Sequence, residues 1–548
     1  MSEGINASKY MLSKEEYLTI ENNIKQYVKG EDSHIKVIFL SCLSAKSKNP
    51  LNLFVRGESS TGKTWMVMHV VSLFPEENVW LLGNLTPKSL VHQKGIVVDE
   101  NFQPIEKPKP PTPPTKWEIK ENPKLREEYY EKLKKYKEEM EEYYRKLENS
   151  YVLIDMSGKI LVFLDPPERE TFDRLRPILS HDAEKIMYPF TDKIDGRLVT
   201  VKVVIKGWPV AIFCGAEVEW MEHIITRSLT ISPTVSKEKF RMAHEVTGMR
   251  FYNPMTLKIK KKQIEEGRKI IRKIFAPYQA IIPYEHILHK IYPNDLPRTM
   301  RDYNYFLGIL EAYTLLSPHP TIYSPAFAED GFIGVLNIAT ISDLVDVEKI
   351  WSNIYVQTIS GLSKRAIEIY DVIEELLKND ISPTVREIRK KYIEMYGISI
   401  SGSTIRAYGK NLEDYGLVEI TKERGLNIYY SSGKKLETLT FSFSTTVLKE
   451  FSKKELENCL DDLVNKIRDF YKTEEPYIIL TPSPLNSTSY KYPFPEEAKD
   501  ILYKTLISLT PQTEEESNSV SINKTKNLTQ LKDVKDLSFF SCGKEAGK

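Results

Sequence analysis

The chain has 548 residues and a mass of 63.5 kDa. Because a domain usually holds about 100 to 200 residues, two or three domains are expected and a single small module is excluded. The 77 Lys and Arg almost balance the 76 Asp and Glu, so any nucleic-acid surface must come from local clusters of charge. Hydrophobic residues make up 41%, which excludes a wholly disordered chain. The four cysteines are scattered without a CxxC pair, which argues against zinc fingers and a disulfide framework.

Neither end of the sequence suggests contact with a membrane. The N-terminal MSEGINASKYMLSKEEY lacks the apolar core of a signal peptide. No stretch approaches the roughly 18 apolar residues that cross a bilayer. We therefore expect no membrane partner and a cytoplasmic location.

A glycine-rich loop gives the strongest functional signal. GESSTGKT fits the GxxxxGK[ST] pattern between the apolar run LNLFV and the helical segment WMVMHVVSLF. Its glycines let successive backbone N–H groups face a phosphate. Lys63 would reach the β- and γ-phosphates of ATP, and Thr64 would ligate Mg²⁺. The residues expected to bind nucleotide are Gly57, Glu58, Ser59, Ser60, Thr61, Gly62, Lys63 and Thr64. The alternative is a chance glycine-rich turn, which does not explain why an apolar strand-like run precedes the loop and a helical segment follows it.

A second apolar strand, in KILVFLDPPERE, ends in a carboxylate. Asp165 is the expected carboxylate on the Mg²⁺ side of the site. Glu168 is the candidate for orienting the attacking water, with Glu170 as an alternative. An ordinary acidic turn after a buried strand is the simpler interpretation, and the loop upstream argues against it.

A third apolar strand and two arginine-bearing segments follow. The strand WPVAIFCGAE ends in Cys214, which we interpret as a core cysteine more readily than as a polar group beside the γ-phosphate. Arg227 lies between a predicted helix and a strand, and Arg298 and Arg301 begin a later helix. A guanidinium matches phosphate oxygens and suits charge stabilisation in a neighbouring subunit. A surface arginine is the simpler interpretation of each one alone.

Together these motifs resemble the AAA+ ATPases. Within that group they resemble the branch of the minichromosome-maintenance helicases and related archaeal, viral and plasmid helicase-like proteins, over residues 35–316. The resemblance implies a parallel sheet with flanking helices and a helical lid. It also implies roles for Lys63 and Thr64 (Walker A), Asp165 (Walker B), Arg227 (arginine finger) and Arg301 (sensor 2). The Pro pair before Glu168 and Cys214 at the sensor 1 position depart from the family's pattern.

The segment KIMYPFTDKIDGRLVTVKVVIKGW predicts two strands about an Asp195-Gly196 turn. In the resembled branch a hairpin at this point projects into the central channel of a ring. This implies that Lys193, Arg197 and Lys202 contact the DNA backbone. An ordinary exposed hairpin also carries Lys and Arg.

Residues 363–433 predict three amphipathic helices and a short hairpin turning near Arg424-Gly425. This order resembles a winged helix-turn-helix domain, whose third helix would enter the major groove. The alternative is a winged helix used for protein contacts. The candidate DNA-binding residues of the third helix and of the wing are Ser403, Thr404, Arg406, Tyr408, Lys410, Lys422 and Arg424.

A Pro-rich and charged insertion, residues 104–150, carries apolar residues at spacings of three and four. This predicts a coiled-coil-like helix over 124–149, either a solvated arm or one with a protein partner. The full predicted division is a helical segment (1–34), an α/β core (35–230), a lid and connector (231–362), the winged helix (363–433), an extension (434–509) and a tail whose composition predicts disorder (510–548).

The sequence therefore predicts a DNA-dependent ATPase that uses ATP and Mg²⁺ and binds single- or double-stranded DNA. We expect a ring-forming homo-oligomer, hexameric by resemblance, that acts as a helicase or replication initiator and associates with the nucleoid. One alternative is an ATP-driven loader or remodeller without unwinding. Another is a nucleotide-gated, sequence-specific DNA-binding regulator with little hydrolysis.

Overall fold

The structure is a computed structural model, and it describes residues 14–57, 60–83, 87–115, 117, 122, 124–148, 150–165, 167, 169–194, 197–215, 227–253, 255–294, 299–316, 320–323, 335–360, 362–423, 425–433, 442–471, 477–480 and 488–508. The helices are α1 (Lys14–Lys25), α2 (Asp32–Leu43), α3 (Lys63–Val71), α4 (Pro87–Lys94), α5 (Lys124–Glu148), α6 (Arg169–Leu179), α7 (Lys237–Tyr252), α8 (Thr256–Ile274), α9 (Glu285–Ile291), α10 (Thr299–Tyr313), α11 (Ile341–Ser360), α12 (Lys364–Lys378), α13 (Val385–Tyr396), α14 (Gly402–Asp414), α15 (Phe443–Glu450), α16 (Lys453–Tyr471) and α17 (Glu496–Ile507). The strands are β1 (Leu53–Arg56), β2 (Val79–Leu82), β3 (Ile96–Val98), β4 (Tyr151–Asp155), β5 (Ile160–Phe163), β6 (Lys185–Ile194), β7 (Arg197–Lys206), β8 (Val210–Gly215), β9 (Leu229–Ile231), β10 (Gln279–Ile281), β11 (Thr321–Tyr323), β12 (Val335–Ile338), β13 (Val418–Glu423), β14 (Leu426–Ser431), β15 (Tyr477–Leu480) and β16 (Thr488–Lys491).

The core is a five-stranded parallel sheet in the order β2-β5-β8-β1-β9. Its strands are nearly continuous apolar runs because both faces are covered. Leu53 and Val55 pack into the helical layer on one face, and Phe54 packs into a second core on the other. The strand that precedes the phosphate loop lies between β8 and β9. The predicted α/β fold class is confirmed.

A second, four-stranded sheet covers one face of the core in the order β3-β4-β7-β6. The long helix α5 joins β3 to β4 and has 25 residues, or about 38 Å of helix. Most of its surface is exposed, but Tyr143 and Leu147 near its end are buried. The insertion is thus a helical arm that is anchored at its base.

A third sheet, β10-β12-β11-β15-β16, combines strands from before and after the winged-helix residues. Helices α15 to α17 accompany it, and α15 and α17 pack against α11. Leu456, Leu460, Val464 and Ile467 follow helical spacing on α16 and are buried. The C-terminal extension therefore folds back onto the lid.

Residues 363–433 fold as the predicted winged helix, α12, α13, α14 and the β13–β14 wing. Each helix has a hydroxyl N-cap, from Ser363, Thr384 and Ser401, that accepts a backbone N–H three residues on. Gly409 lets α14 approach the wing, since a β-carbon there would lie 2.3 Å from the Tyr429 ring. Within the described parts of the chain, no helix is long and apolar enough to span a bilayer.

Candidate nucleotide site and nucleic-acid surfaces

The carboxyl ends of β1, β5 and β8 meet at one edge of the core sheet. The Gly57 N–H donates to the Gly215 carbonyl at 3.4 Å, which closes the loop start against β8. Gly62 has φ +87°, a left-handed conformation that glycine adopts without cost, and α3 begins at the next residue. Lys63 Nζ donates to the Gly57 carbonyl at 2.8 Å. The loop therefore folds around its own lysine, at the start of a helix, as a phosphate-binding loop does.

Mg²⁺ would find its protein ligands at this same edge. Thr64 and Asp165 are both exposed at the edge, as ligands that share a cation with phosphates and water must be. Over the described residues no group of three or more His, Cys, Asp and Glu is placed to hold a metal.

Cys214 lies at the centre of this edge and is buried. Burial raises the pKa of its thiol to about 12, with Lys63 lowering and Asp165 raising it. The thiol is therefore neutral at physiological pH and is only a weak hydrogen-bond donor. That both charges act on one thiol shows that the structure brings Lys63, Asp165 and Cys214 together.

Three of the predicted nucleotide-site residues, Glu58, Ser59 and Glu168, lie outside the described residues. Glu170 is the second residue of α6, and its carboxylate accepts from Arg174 at 2.9 Å. The identity of the residue that orients water remains a prediction.

A cavity of about 180 Å³ opens beside the loop, and we call it the base cavity. Its walls come from the segment between α1 and α2, from the loop with the start of α3, and from α7. The lining includes Tyr27, Val28, Thr61, Trp65, Phe240 and Val246. Trp65 and Phe240 are more than a third exposed, which leaves flat apolar surface open to a ligand. An aromatic-lined cavity next to a phosphate loop suits a purine base.

Sequence reasoning missed the base cavity. Its walls come from segments separated by more than two hundred residues, and no short motif marks Tyr27 or Phe240. The helical pattern of α1 and α7 was the available signal, and it does not show which residues meet.

A buried ionic cluster, the Glu31 cluster, holds the cavity walls together. The Glu31 carboxylate accepts from His34 Nδ1 at 2.5 Å and from the Thr234 N–H at 2.8 Å, and it pairs with Lys239. Lys239 also donates to the Thr61 carbonyl of the phosphate loop at 3.1 Å. Burial raises the pKa of Glu31, but His34 and Lys239 together hold it below its usual value. The cluster thus links three chain segments to the loop.

The candidate arginines lie at the opposite edge of the sheet. Leu229 pairs with Leu53, so Arg227 and Gly57 are six residues apart along the strands, or about 20 Å. Arg227 Nη1 pairs with Asp182 at 2.5 Å.

Arg301 lies at this same edge. Burial raises the pKa of Asp182. Hydrogen bonds from Ser180 and Arg227, and the charges of Arg227 and Arg301, outweigh this effect and hold the pKa below its usual value. Helix α10, which carries Arg301, approaches Leu51 at the start of β1 through Gly308. Arg298 lies outside the described residues. The structure therefore places Arg301 close enough to Asp182 for its charge to act on the partner of Arg227.

The predicted hairpin is present as β6 and β7, with Ile194 opposite Arg197. Strand β4 pairs with β7 only from Lys202 onward, so the outer half is a two-stranded ribbon. Lys193 and Arg197 fall at its tip, although their side chains, like the Asp195-Gly196 turn, lie outside the described parts. Lys202 is exposed at the base, with Nζ 5.8 Å from the centre of the Tyr151 ring.

Helix α14 of the winged helix presents an exposed stripe, formed by Ser403, Arg406, Ala407 and Lys410. Thr404 is half-buried and hydrogen-bonds to Ser401 Oγ at 2.6 Å, and Tyr408 packs against the domain core. Lys422 is exposed on the wing, while Arg424 lies outside the described residues. The stripe runs along one side of the helix and is accessible to a ligand.

Comparisons with known proteins add little to this description. No known protein family matches the sequence, and no curated protein matches it. Among solved structures, the chain is similar to the Orc1 protein of Aeropyrum pernix in complex with DNA. The two are 11% identical, with 82% of this chain and 96% of that chain covered and a TM-score of 0.21. Values this low carry no argument about function. The fold described above is an α/β core with a phosphate-loop motif, joined to a winged helix.

Proposed function

We propose that this protein is a DNA-binding ATP hydrolase whose active sites form between subunits. The observation that carries the proposal is the meeting of Lys63, Asp165 and the phosphate loop beside an aromatic-lined cavity. Lys63, freed from the Gly57 carbonyl, would bind the β- and γ-phosphates, and Thr64 and Asp165 would hold Mg²⁺. The metal would neutralise charge that develops on the transferred phosphoryl group.

The position of Arg227 supports an assembly of several subunits. About 20 Å of strand separates it from the phosphate loop of its own chain, and a long side chain spans far less than that. If its guanidinium and that of Arg301 contact a nucleotide, that nucleotide belongs to a neighbouring subunit. We therefore propose that both arginines act in trans, within a homo-oligomeric ring.

Two surfaces of this chain support DNA as the partner. The exposed stripe of α14 has the width and polarity for the major groove, and the β6–β7 ribbon carries Lys193 and Arg197 at its tip. We propose that hydrolysis moves the ribbon against DNA while the winged helix docks on duplex. The chain would then act as a helicase or a replication initiator of the minichromosome-maintenance type, near the nucleoid.

Cys214 favours a second candidate function. A neutral, buried thiol is a weak group for polarising a γ-phosphate or its attacking water. A chain that binds ATP but hydrolyses it slowly would act as a nucleotide-gated DNA-binding regulator. The turnover rate separates this function from a motor.

The test is steady-state ATP hydrolysis by wild type and by Lys63→Ala, each without DNA, with single-stranded DNA and with duplex. We expect wild-type turnover that DNA raises several-fold and a Lys63→Ala variant with none. If Lys63→Ala hydrolyses ATP as fast as wild type, the proposed nucleotide site is wrong. Tight ATP binding with almost no turnover in any condition would select the regulator.

A further inference from the structure

The winged-helix domain contacts the phosphate loop itself. A narrow gap, which we call the P-loop crevice, has Gly57 and Thr61 of the loop on one side and Lys364, Arg365, Glu368 and Tyr408 of the winged helix on the other. Its volume is about 20 Å³, which is room for about one water molecule. The domain thus lies directly against the nucleotide-binding loop.

The contact is held by a specific hydrogen bond and by apolar packing. Lys364 Nζ donates to Thr234 Oγ1 at 3.3 Å, and the Thr234 N–H is bound to Glu31. Val235 packs against the winged-helix core. The first turn of α12 is therefore held beside the loop by the same cluster that contacts Thr61.

The winged-helix side of the crevice carries more positive than negative charge. Lys364 and Arg365 are half-buried. Glu368 is the one carboxylate among the described residues that line the crevice. Burial raises the pKa of Glu368, while a hydrogen bond from Tyr392 and the charges of Lys364 and Arg365 act to lower it. A phosphate at the loop would compete with this carboxylate for the two cations.

Ser232 supplies an independent sign of a ligand. It follows β9, lines the crevice, and is 3% exposed. Its hydroxyl has no hydrogen-bond partner within the described structure. A buried hydroxyl left without a hydrogen-bond partner is destabilising, and a phosphate oxygen or its water would satisfy it.

We propose that Lys364 and Arg365 bind the terminal phosphate of the nucleotide held by the loop of the same chain. The inference rests on the proposed function, because it needs a nucleotide at Lys63. It makes the winged helix part of the nucleotide site. ATP and ADP would then be distinguished by a domain whose other face carries the α14 stripe.

The experiment is equilibrium binding of N-methylanthraniloyl-ATP and N-methylanthraniloyl-ADP to the full chain. The variants are Lys364→Ala, Arg365→Ala and the double variant, with Lys378→Ala as the matched control. Lys378 ends the same helix α12, is exposed, and lies away from the crevice. Because bonds to charged groups contribute about 1.5–3 kcal/mol, we expect the double variant to bind the ATP analogue at least about tenfold more weakly. The ADP analogue, which lacks the terminal phosphate, should bind almost as tightly as to wild type.

Each other outcome has a defined meaning. If the double variant matches Lys378→Ala for both nucleotides, the inference is wrong and the proposed function stands. If wild type binds neither nucleotide, both are wrong. An equal loss for ATP and ADP would also overturn the inference, since it indicates general damage to the site. Arg365→Lys keeps the positive charge at this position. A thermal melt of each variant distinguishes a loss of nucleotide binding from a loss of the fold.

Discussion

The two edges of the core sheet differ in what their side chains can reach. The carboxyl edge gathers Lys63, Asp165 and Cys214 around one loop, and the amino edge gathers Arg227, Arg301 and Asp182. The first is a binding site for a ligand of the same chain. The second faces outward, with an arginine that is held by one exposed carboxylate. This difference is the basis of our proposal that a catalytic site is divided between two copies.

The largest expected effect concerns the amino edge. Arg227→Ala should lower ATP turnover by at least about a hundredfold, because an arginine finger contributes about 10³–10⁵ in rate, while ATP binding is retained. Mixing Arg227→Ala with the inactive Lys63→Ala should restore part of the turnover, since some interfaces then combine an intact loop with an intact arginine. The measurement is turnover across mixing ratios.

Asp182→Ala is the matched control for Arg227→Ala. The pair is exposed and contributes about 0–1 kcal/mol, so this variant should stay folded and active. Mixtures with no recovered turnover would show that Arg227 acts within its own chain or only in folding.

The next effect concerns the walls of the base cavity. Glu31→Ala leaves Lys239 buried without its carboxylate and should lower the free energy of unfolding by about 3–5 kcal/mol. Folding lowers the pKa of Glu31. Its contribution to stability is therefore fully present at pH values above its unfolded pKa of about 4.3, and it is lost as the pH falls through its folded pKa. Urea unfolding at several pH values should therefore show the difference from wild type shrinking in acid.

The neighbouring Asp32→Ala is the control for this measurement. Its carboxylate is 60% exposed and pairs with Lys25, so the expected loss is about 0–1 kcal/mol. If both variants lose the same stability, the Glu31 cluster does not hold the site together.

The smallest expected effect concerns the winged helix. Arg406→Ala and Lys410→Ala should each weaken duplex binding by about 1–3 kcal/mol if they contact bases, or lower the salt dependence by about one charge if they contact phosphates. Fluorescence anisotropy over a salt series distinguishes the two. Arg389→Ala, exposed on α13, is the comparison variant. If Arg406→Ala, Lys410→Ala and Arg389→Ala all bind duplex as tightly as wild type, the result favours a winged helix that binds protein.

The sequence predicted what short motifs define and missed what distant segments build. Gly57 to Thr64, Asp165 and the three helices of the winged helix each have a local signal, in the form of a loop pattern, a strand end or helical periodicity. The Glu31 cluster joins residues about two hundred positions apart, and nothing local marks Glu31 as buried. The placement of Arg301 beside Asp182 likewise depends on how α10 crosses the start of β1.

The third sheet has a consequence for the order in which the chain is made. Its central strand β11 pairs with β12 on one side and with β15 on the other, and more than 150 residues separate β11 from β15. During synthesis one edge of β11 stays unpaired until the whole winged helix has left the ribosome. An open strand edge is a template for pairing with other chains. Nascent chains stalled before residue 477 should therefore be cut by protease within the lid, and released full chains should resist. The winged helix is thus tied into the protein at both of its ends, and the final strands complete the lid that precedes it.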